Sequence, residues 1–339
     1  MLTAARNIGV TNTGSVTAST TATATAGQNI TVDGAVASQN SLQLTTTNGA
    51  ISTTGTLASN GAISANAGGA NGDVTLGGTI SSPNAVTLTA ARNATISGQL
   101  TTGSNLLASA GQDLVVSGAT QSVGATNLNA ARDLTVASTG SATAGTTLSA
   151  VAARNLGVSG STASGGDTTL TATSGSLSNS GTVLSSGNVT AKGQTGTTLG
   201  GTVYAAQDVT AQSGAGTTSV TGSVIAHSGN VALTGTSVAV SGSTQSGGDT
   251  TLSATQGNAQ IDGQAFALGK LTATASQDIT GQGSTASIGD TTITAGRNIA
   301  LTGTSQTAGN LSASAANGVS IAALPEGWPG FVKNPPHLR

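Results

Sequence analysis

The chain has no cysteine among its 339 residues, and only four residues are aromatic: Tyr204, Phe266, Trp328 and Phe331. Without cysteine, the sequence carries no disulfide framework and does not reveal a redox compartment. Large rings normally supply much of the buried area of a globular core. Here the apolar residues are mostly Ala, Val, Leu and Ile, so the sequence predicts a thin core filled with small side chains.

Charged residues are also scarce. They make up 6% of the chain, and the formal net charge is −2, which gives no electrostatic basis for binding nucleic acid or an anionic membrane. No apolar run approaches the roughly 20 residues of a membrane-spanning helix. The opening residues, MLTAARNIGV, lack the basic start and apolar stretch of a signal peptide. Low charge and few rings are typical of disorder, but here the apolar residues keep a register.

That register is a repeat of apolar, any, apolar, any, glycine, at steps of 20–23 residues. A period near twenty that persists along the chain indicates one small unit stacked on itself rather than a globular domain. The first position of the register falls at Ile8, Ile30, Ile51, Val74, Ala94, Leu114, Leu134, Leu156, Leu177, Thr197, Thr218, Val238, Ala259, Ile279, Ile299 and Val319.

Residues 85–104, AVTLTAARNATISGQLTTGS, illustrate one unit. Apolar and polar residues alternate in three short stretches, which predicts three strands with one buried face each, separated by turns. The predicted fold is all-β: a parallel β-helix, or solenoid, of about 16 coils with three short strands per coil. The predicted buried positions of this unit are Val86, Leu88 and Ala90, then Ala94 and Ile96, then Leu100.

In such a fold, equivalent residues of successive coils stack about 4.8 Å apart, so that sixteen coils make a rod about 75 Å long. Alternate residues of each strand face the interior, and the Thr, Ser and Gly residues between them face solvent. The predicted interior therefore includes Ile30, Val32, Leu114, Val116, Ile299 and Leu301.

A polar ladder precedes the register position in many units. Asn and Asp tolerate turn backbone and bond to nearby main chain, so we interpret the ladder as a structural corner in which Arg132 can pair with Asp113 of the neighbouring coil. The alternative is a weakly basic strip that meets an acidic glycan or surface polymer. The predicted ladder comprises Arg6, Asn7, Arg92, Asn93, Arg132, Asp133, Arg154, Asn155, Arg297 and Asn298.

A second recurring segment, GDTT followed by Leu or Ile, places Asp167, Asp249 and Asp290 at one point of the coil. An aspartate there predicts another corner, because its side chain accepts hydrogen bonds from nearby backbone amides.

The unit A-[AG]-[RQ]-[ND]-[LI]-x-[VIL]-x-G, with a TTL-type strand before it, resembles the haemagglutinin repeat. That repeat builds the shafts of filamentous haemagglutinins and related two-partner-secreted exoproteins. The resemblance covers about residues 1–323. It is carried by AARNIGV (4–10), AGQNITVDG (26–34), AARNATISG (90–98), AGQDLVVSG (110–118), AARDLTV (130–136), AARNLGVSG (152–160), ASQDITGQG (275–283) and AGRNIALTG (295–303).

The resemblance implies a right-handed β-helix that serves as a structural shaft segment of a large adhesin-like exoprotein supporting cell adhesion. It implies secretion, or display at the cell surface of a Gram-negative bacterium, after export through an outer-membrane two-partner transporter. The implied partners at that surface are host or bacterial glycans and proteins. Contact-dependent growth inhibition proteins have similar shafts, so the stick of such a toxin is the alternative function.

The repeats occupy residues 1–323, and a Pro-rich, non-repeat tail occupies residues 324–339. We expect the tail to be a disordered end, the start of a truncated next segment, or a cap in which Trp328 and Phe331 cover the last coil. The register is already established at Ile8, and neither the secretion domain nor the toxin domain of the resembling family is recognisable. We therefore expect the chain to be a piece of a longer protein.

Other functions of β-helices are less favoured. Polysaccharide-active enzymes need clustered carboxylates or basic residues in a groove, whereas these acids recur at repeat corners. His227 and His337 have no recurring partner, and SGGD occurs without the dense series of calcium-binding repeats. We therefore predict no catalytic, metal or cofactor site. Ice binding requires ranks of Thr-x-Thr, and a coil-by-coil count on one face tests it.

Overall fold

The computed structural model describes residues 1–322, and all regular elements in this range are β-strands. The strands form three parallel sheets of 16, 16 and 15 strands. Coils 1–15 each contribute one strand to each sheet, in the order sheet 1, sheet 2, sheet 3, and within the described residues coil 16 contributes to sheets 1 and 2. The predicted β-solenoid of about 16 coils with three strands per coil is thus confirmed. The predictions for the tail fall outside the described residues.

Strand bounds follow the coil order within each sheet. Sheet 1 contains Leu2–Ala4, Ala22–Ala26, Leu42–Thr46, Ile63–Ala67, Val86–Ala90, Leu106–Ala110, Thr126–Ala130, Leu148–Ala152, Thr168–Ala172, Val189–Gly193, Val209–Ser213, Val231–Gly235, Thr250–Ala254, Leu271–Ala275, Thr291–Ala295 and Leu311–Ala315. Sheet 2 contains Ile8–Val10, Ile30–Val32, Ile51–Thr53, Val74–Leu76, Ala94–Ile96, Leu114–Val116, Leu134–Val136, Leu156–Val158, Ser176–Asn179, Gly196–Leu199, Thr217–Val220, Ser237–Val240, Ala259–Ile261, Ile279–Gly281, Asn298–Leu301 and Gly318–Ile321. Sheet 3 contains Ser15–Ala18, Ala35–Ser38, Thr56–Ser59, Thr79–Ser82, Gln99–Thr102, Ala119–Ser122, Ser141–Ala144, Ser161–Ser164, Thr182–Ser185, Thr202–Ala205, Ser223–Ala226, Ser243–Ser246, Gln264–Ala267, Ser284–Ser287 and Ser305–Thr307.

The pairing register agrees with the repeat. Ile8 pairs with Ile30, Ile30 with Ile51, and the sixteen register positions continue as one stacked column to Val319. Because the side-chain period of a strand is two, this column also decides which face of sheet 2 is inside.

The interior is a narrow column of aliphatic side chains. All six interior positions predicted above are buried, with Leu114 and Val116 fully inaccessible. Thr197 and Thr218 replace an apolar residue in the register column, and they are satisfied because their hydroxyls donate to the carbonyls of Gln212 and Thr234 at 2.7 and 2.6 Å. Four other buried polar side chains have atoms without a hydrogen bond to the described protein: Thr53, Thr162, Asn179 and Ser213.

Three corners join the strands of each coil. Corner 1 lies between sheets 1 and 2, corner 2 between sheets 2 and 3, and corner 3 between sheet 3 and sheet 1 of the next coil. At corner 2, glycines stack on one another, and a Cβ on Gly242 would lie 2.0 Å from the carbonyl oxygen of Gly222. Only glycine allows backbone to approach this closely. In coils 1 and 7 this glycine, Gly14 or Gly140, comes two residues later than the register predicts.

Candidate functional site

The polar ladder predicted from the sequence lies at corner 1. In coils 1–14, the side-chain oxygen of each ladder Asn or Asp accepts a hydrogen bond from the backbone amide of the equivalent residue in the next coil. Asn7 accepts from Asn29 at 3.1 Å, Asp113 accepts from Asp133 at 3.2 Å, and Asp278 accepts from Asn298 at 3.1 Å. Asn and Asp are interchangeable in this role because both supply Oδ1.

The ladder also carries ion pairs between coils. Arg92, Arg132 and Arg154 each make two hydrogen bonds to the carboxylate one coil earlier, on Asp73, Asp113 and Asp133 respectively. Arg297 reaches Asp278 at 2.6 Å. The predicted pairing of Arg132 with Asp113 is present. The arginine side chains keep 41–56% of their surface exposed, so each pair contributes at most about 1 kcal/mol.

These arginines lower the pKa of the carboxylates below them. Hydrogen bonding from Arg154 lowers the pKa of Asp133 from 3.8 to about 2, although partial burial acts in the opposite direction. The pKa values of Asp73 and Asp113 are lowered in the same way by Arg92 and Arg132. The pKa of Asp278 is lowered first by the Asn298 amide and then by Arg297.

The type of residue that lies above each ladder residue depends on whether that ladder residue is charged. Arg lies above each of the four Asp residues, whereas an uncharged residue lies above each Asn. For example, Gln28 lies above Asn7, Gln112 above Asn93, and Gln277 above Asn258. Each paired arginine is thus neutralised within the shaft, which favours the structural interpretation of the ladder over a basic strip. Arg6 lies in coil 1 and is exposed.

A second ladder lies at corner 3. Asp167, Asp249 and Asp290 accept hydrogen bonds from the backbone amides of Asn188, Lys270 and Asn310 of the next coil, at 2.7–2.8 Å. Asp208 belongs to the same ladder and accepts from Asn230 at 2.7 Å. Here a glycine lies above each Asp: a Cβ on Gly269 would be 2.2 Å from Oδ1 of Asp249. The carboxylates of corner 3 therefore have no arginine stacked above them.

Sequence reasoning missed a row of large side chains on the outer face of sheet 3. Five residues stack in register in coils 9–13 and point outward: Leu184, Tyr204, Ile225, Gln245 and Phe266. We call these five residues the aromatic row. The same column in coils 1–8 holds only Thr, Ala, Ser and Gln.

The aromatic row contains both aromatic residues of the described chain. Each of its five members lies seven residues after a register position. That common offset is the signal by which the sequence alone could have shown the row, because equal offsets place residues in one column. Beside the row, Leu268 and Ile288 at corner 3 expose 48% and 57% of their surface.

The test for ice binding is a count of Thr-x-Thr pairs, which we made on the outer face of sheet 1. Both outward positions are Thr in coils 2, 5, 9, 14 and 15. Between these coils the ranks are interrupted by residues such as Leu107, Val151, Lys192 and Ala232. The face therefore does not present a continuous array of threonines of the kind that ice binding requires.

Within residues 1–322, no three His, Cys, Asp or Glu side chains are grouped closely enough to hold a metal ion. The same range contains no helix with the length and apolar character needed to cross a membrane.

No family model, curated protein or solved structure matches the chain. The assignment of a function therefore depends on the repeat, the register and the surfaces of the shaft.

Proposed function

We propose that the chain is a shaft segment of a large, secreted, adhesin-like exoprotein at the surface of a Gram-negative bacterium. The observation that supports this most directly is the unbroken register of sixteen coils. Each coil contacts only its neighbours, so the structure grows in one dimension and its length is proportional to the number of coils. A rod of this kind is suited to holding a binding region away from a cell.

The surfaces of the shaft agree with a mechanical role. The charged residues of corner 1 are used for bonds between coils, as in the pair of Arg154 and Asp133. Polar side chains in corners 1 and 3 bond the backbone of the next coil. These contacts stabilise the stack along its axis, which is the direction in which an extended shaft carries load.

Export by a two-partner system is part of the proposal. The haemagglutinin-type motifs support it, and a chain without cysteine crosses a secretion pore without premature disulfides. The test is to place the chain behind the secretion domain of a two-partner exoprotein and to express it with the matching outer-membrane transporter. We expect a carboxy-terminal tag to reach the cell surface or the medium.

Retention of the tag inside the cell, while a haemagglutinin-repeat shaft of equal length is exported by the same transporter, would contradict the proposal. Electron micrographs of the purified chain test the shape independently. We expect unbranched rods about 75 Å long, because adjacent parallel strands are about 4.8 Å apart.

A further inference from the structure

Four of the five residues of the aromatic row are apolar or aromatic, and they form a strip on a shaft whose outward residues are mostly small and polar. Its five residues span about 20 Å along the axis, and Tyr204 and Phe266, three coils apart, are separated by about 14 Å. Leu184 exposes 41% of its surface, and the two rings are partly exposed. The His227 ring, 6.2 Å from that of Tyr204, extends the strip towards corner 3.

Polar groups border the strip on both sides. The neighbouring outward column of sheet 3 holds Thr182, Thr202, Ser223 and Ser243 in coils 9–12 and Gln264 in coil 13. Corner 3, on the other side, carries the carboxylates of Asp208 and Asp249 and the exposed ammonium group of Lys270. Gln245 adds an exposed amide within the row itself. An apolar strip is thus lined with hydrogen-bonding groups, and the two carboxylates beside it outnumber the one ammonium group.

The size of the strip limits what can bind it. Five coils of this width offer roughly 200 Å², whereas a stable protein interface buries about 800 Å² on each partner. A second copy of the chain would therefore not be held by this strip. A thin linear polymer, lying along the axis, needs only such a strip.

We propose that the aromatic row binds an uncharged polysaccharide chain that lies along the shaft axis. The C–H face of a sugar ring packs on Tyr204, Ile225 and Phe266, and its hydroxyls exchange hydrogen bonds with Gln245 and the flanking Ser and Thr residues. The carboxylates of corner 3 disfavour an anionic polysaccharide. The inference extends the proposed shaft function, on which it rests for placing the row at a surface rich in glycans.

Affinity electrophoresis tests this proposal. The full chain is run in native gels containing galactomannan, xyloglucan or a soluble β-glucan, with alginate as the acidic polysaccharide. We expect at least one uncharged polysaccharide, but not alginate, to retard the chain. The double variant Tyr204→Ala/Phe266→Ala should bind about 10-fold more weakly or worse, because each ring contributes contact that no neighbour replaces. Tyr204→Trp, which keeps a ring, should retain binding.

Leu107→Ala is the matched control, since Leu107 is a similarly exposed apolar residue (38%) on sheet 1, and it should bind as the wild type does. Circular dichroism shows whether each variant keeps its fold. Failure of every uncharged polysaccharide to retard the wild type would overturn the proposal. So would retention by the double variant, or sedimentation showing a dimer that the double variant abolishes. Export and rod formation are unaffected by these outcomes, so the shaft proposal is judged separately.

Discussion

At the scale of single residues, the shaft depends on positions where two coils approach most closely. At corner 2 the backbone of the preceding coil lies where a Cβ atom would be, so glycine is required there. At corner 1 an Asn or Asp bonds upward to the next amide, and an Asp is followed by an Arg in the coil above. Each feature involves a single residue, yet the contact that it makes is with a residue about twenty positions away in the sequence.

Two glycines of coil 8 separate the effect of close approach from that of glycine itself. A Cβ on Gly160 would lie 2.2 Å from the carbonyl oxygens of Ala137 and Gly140, whereas a Cβ on Gly157 meets nothing within 4 Å. We expect Gly160→Ala to destabilise the shaft by about 1–3 kcal/mol. Gly157→Ala should be neutral or stabilise it by up to about 1 kcal/mol. Urea unfolding measures both, and equal effects would contradict the stacked-glycine interpretation.

The ladder carboxylates predict how stability depends on pH. The pKa of Asp133 is lowered from 3.8 to about 2 in the folded chain, so the stabilisation from its bonds with Arg154 is present above about pH 4 and is lost as the pH falls towards 2. Arg154→Gln should therefore reduce the loss of stability between pH 5 and pH 2. The measurement is the urea midpoint at several pH values.

Lys192→Gln is the control for that experiment, because Lys192 stacks between the neutral residues Thr171 and Gln212 on sheet 1. It should leave the acid profile unchanged. An Arg154→Gln profile that is parallel to the wild type would show that the ladder pair does not contribute to the acid response.

At the scale of elements, each strand is a few residues long and is stable only between its two neighbours in the sheet. In coil 6, Leu114 is fully buried and stacks between Ala94 and Leu134, while Val115 faces outward between Thr95 and Thr135. Adjacent residues of one strand thus lie in opposite environments, as the strand period requires.

Leu114→Asp should destabilise the shaft by about 4 kcal/mol or more, because an unpaired charge enters the column. Val115→Asp, one residue away, should change stability by less than about 1 kcal/mol. Circular dichroism and protease resistance distinguish the two variants. Similar behaviour of both would mean that the assignment of the interior is wrong.

At the scale of the whole molecule, coils are interchangeable as long as the register and the charge matching are kept. Ala90 and Ala130 occupy the same column two coils apart. Removing residues 91–130 would join Ala90 to Ala131 and place Arg132 above Asp73, where Arg92 lies in the intact chain. The new junction therefore preserves both the stacking and the ion pair.

We expect that deletion to leave a folded rod about 10 Å shorter, since it removes two steps of about 4.8 Å. Removing residues 91–120 instead takes out one and a half coils and should unfold the region around the junction. Small-angle scattering gives the length, and circular dichroism gives the strand content. A shaft that tolerates both deletions equally would contradict the one-dimensional stack.

The sequence by itself determined the repeat, the three strands of each coil and the inward residues such as Ile30 and Leu301. It could do so because the strand period and the glycine-marked turns are local properties. Only the tertiary structure decided which contacts the corners make between coils: Arg92 makes two hydrogen bonds to Asp73, whereas a glycine lies over each Asp of corner 3. Coil length varies by a few residues, so such neighbours have no constant spacing along the chain and become adjacent only when the corners are formed.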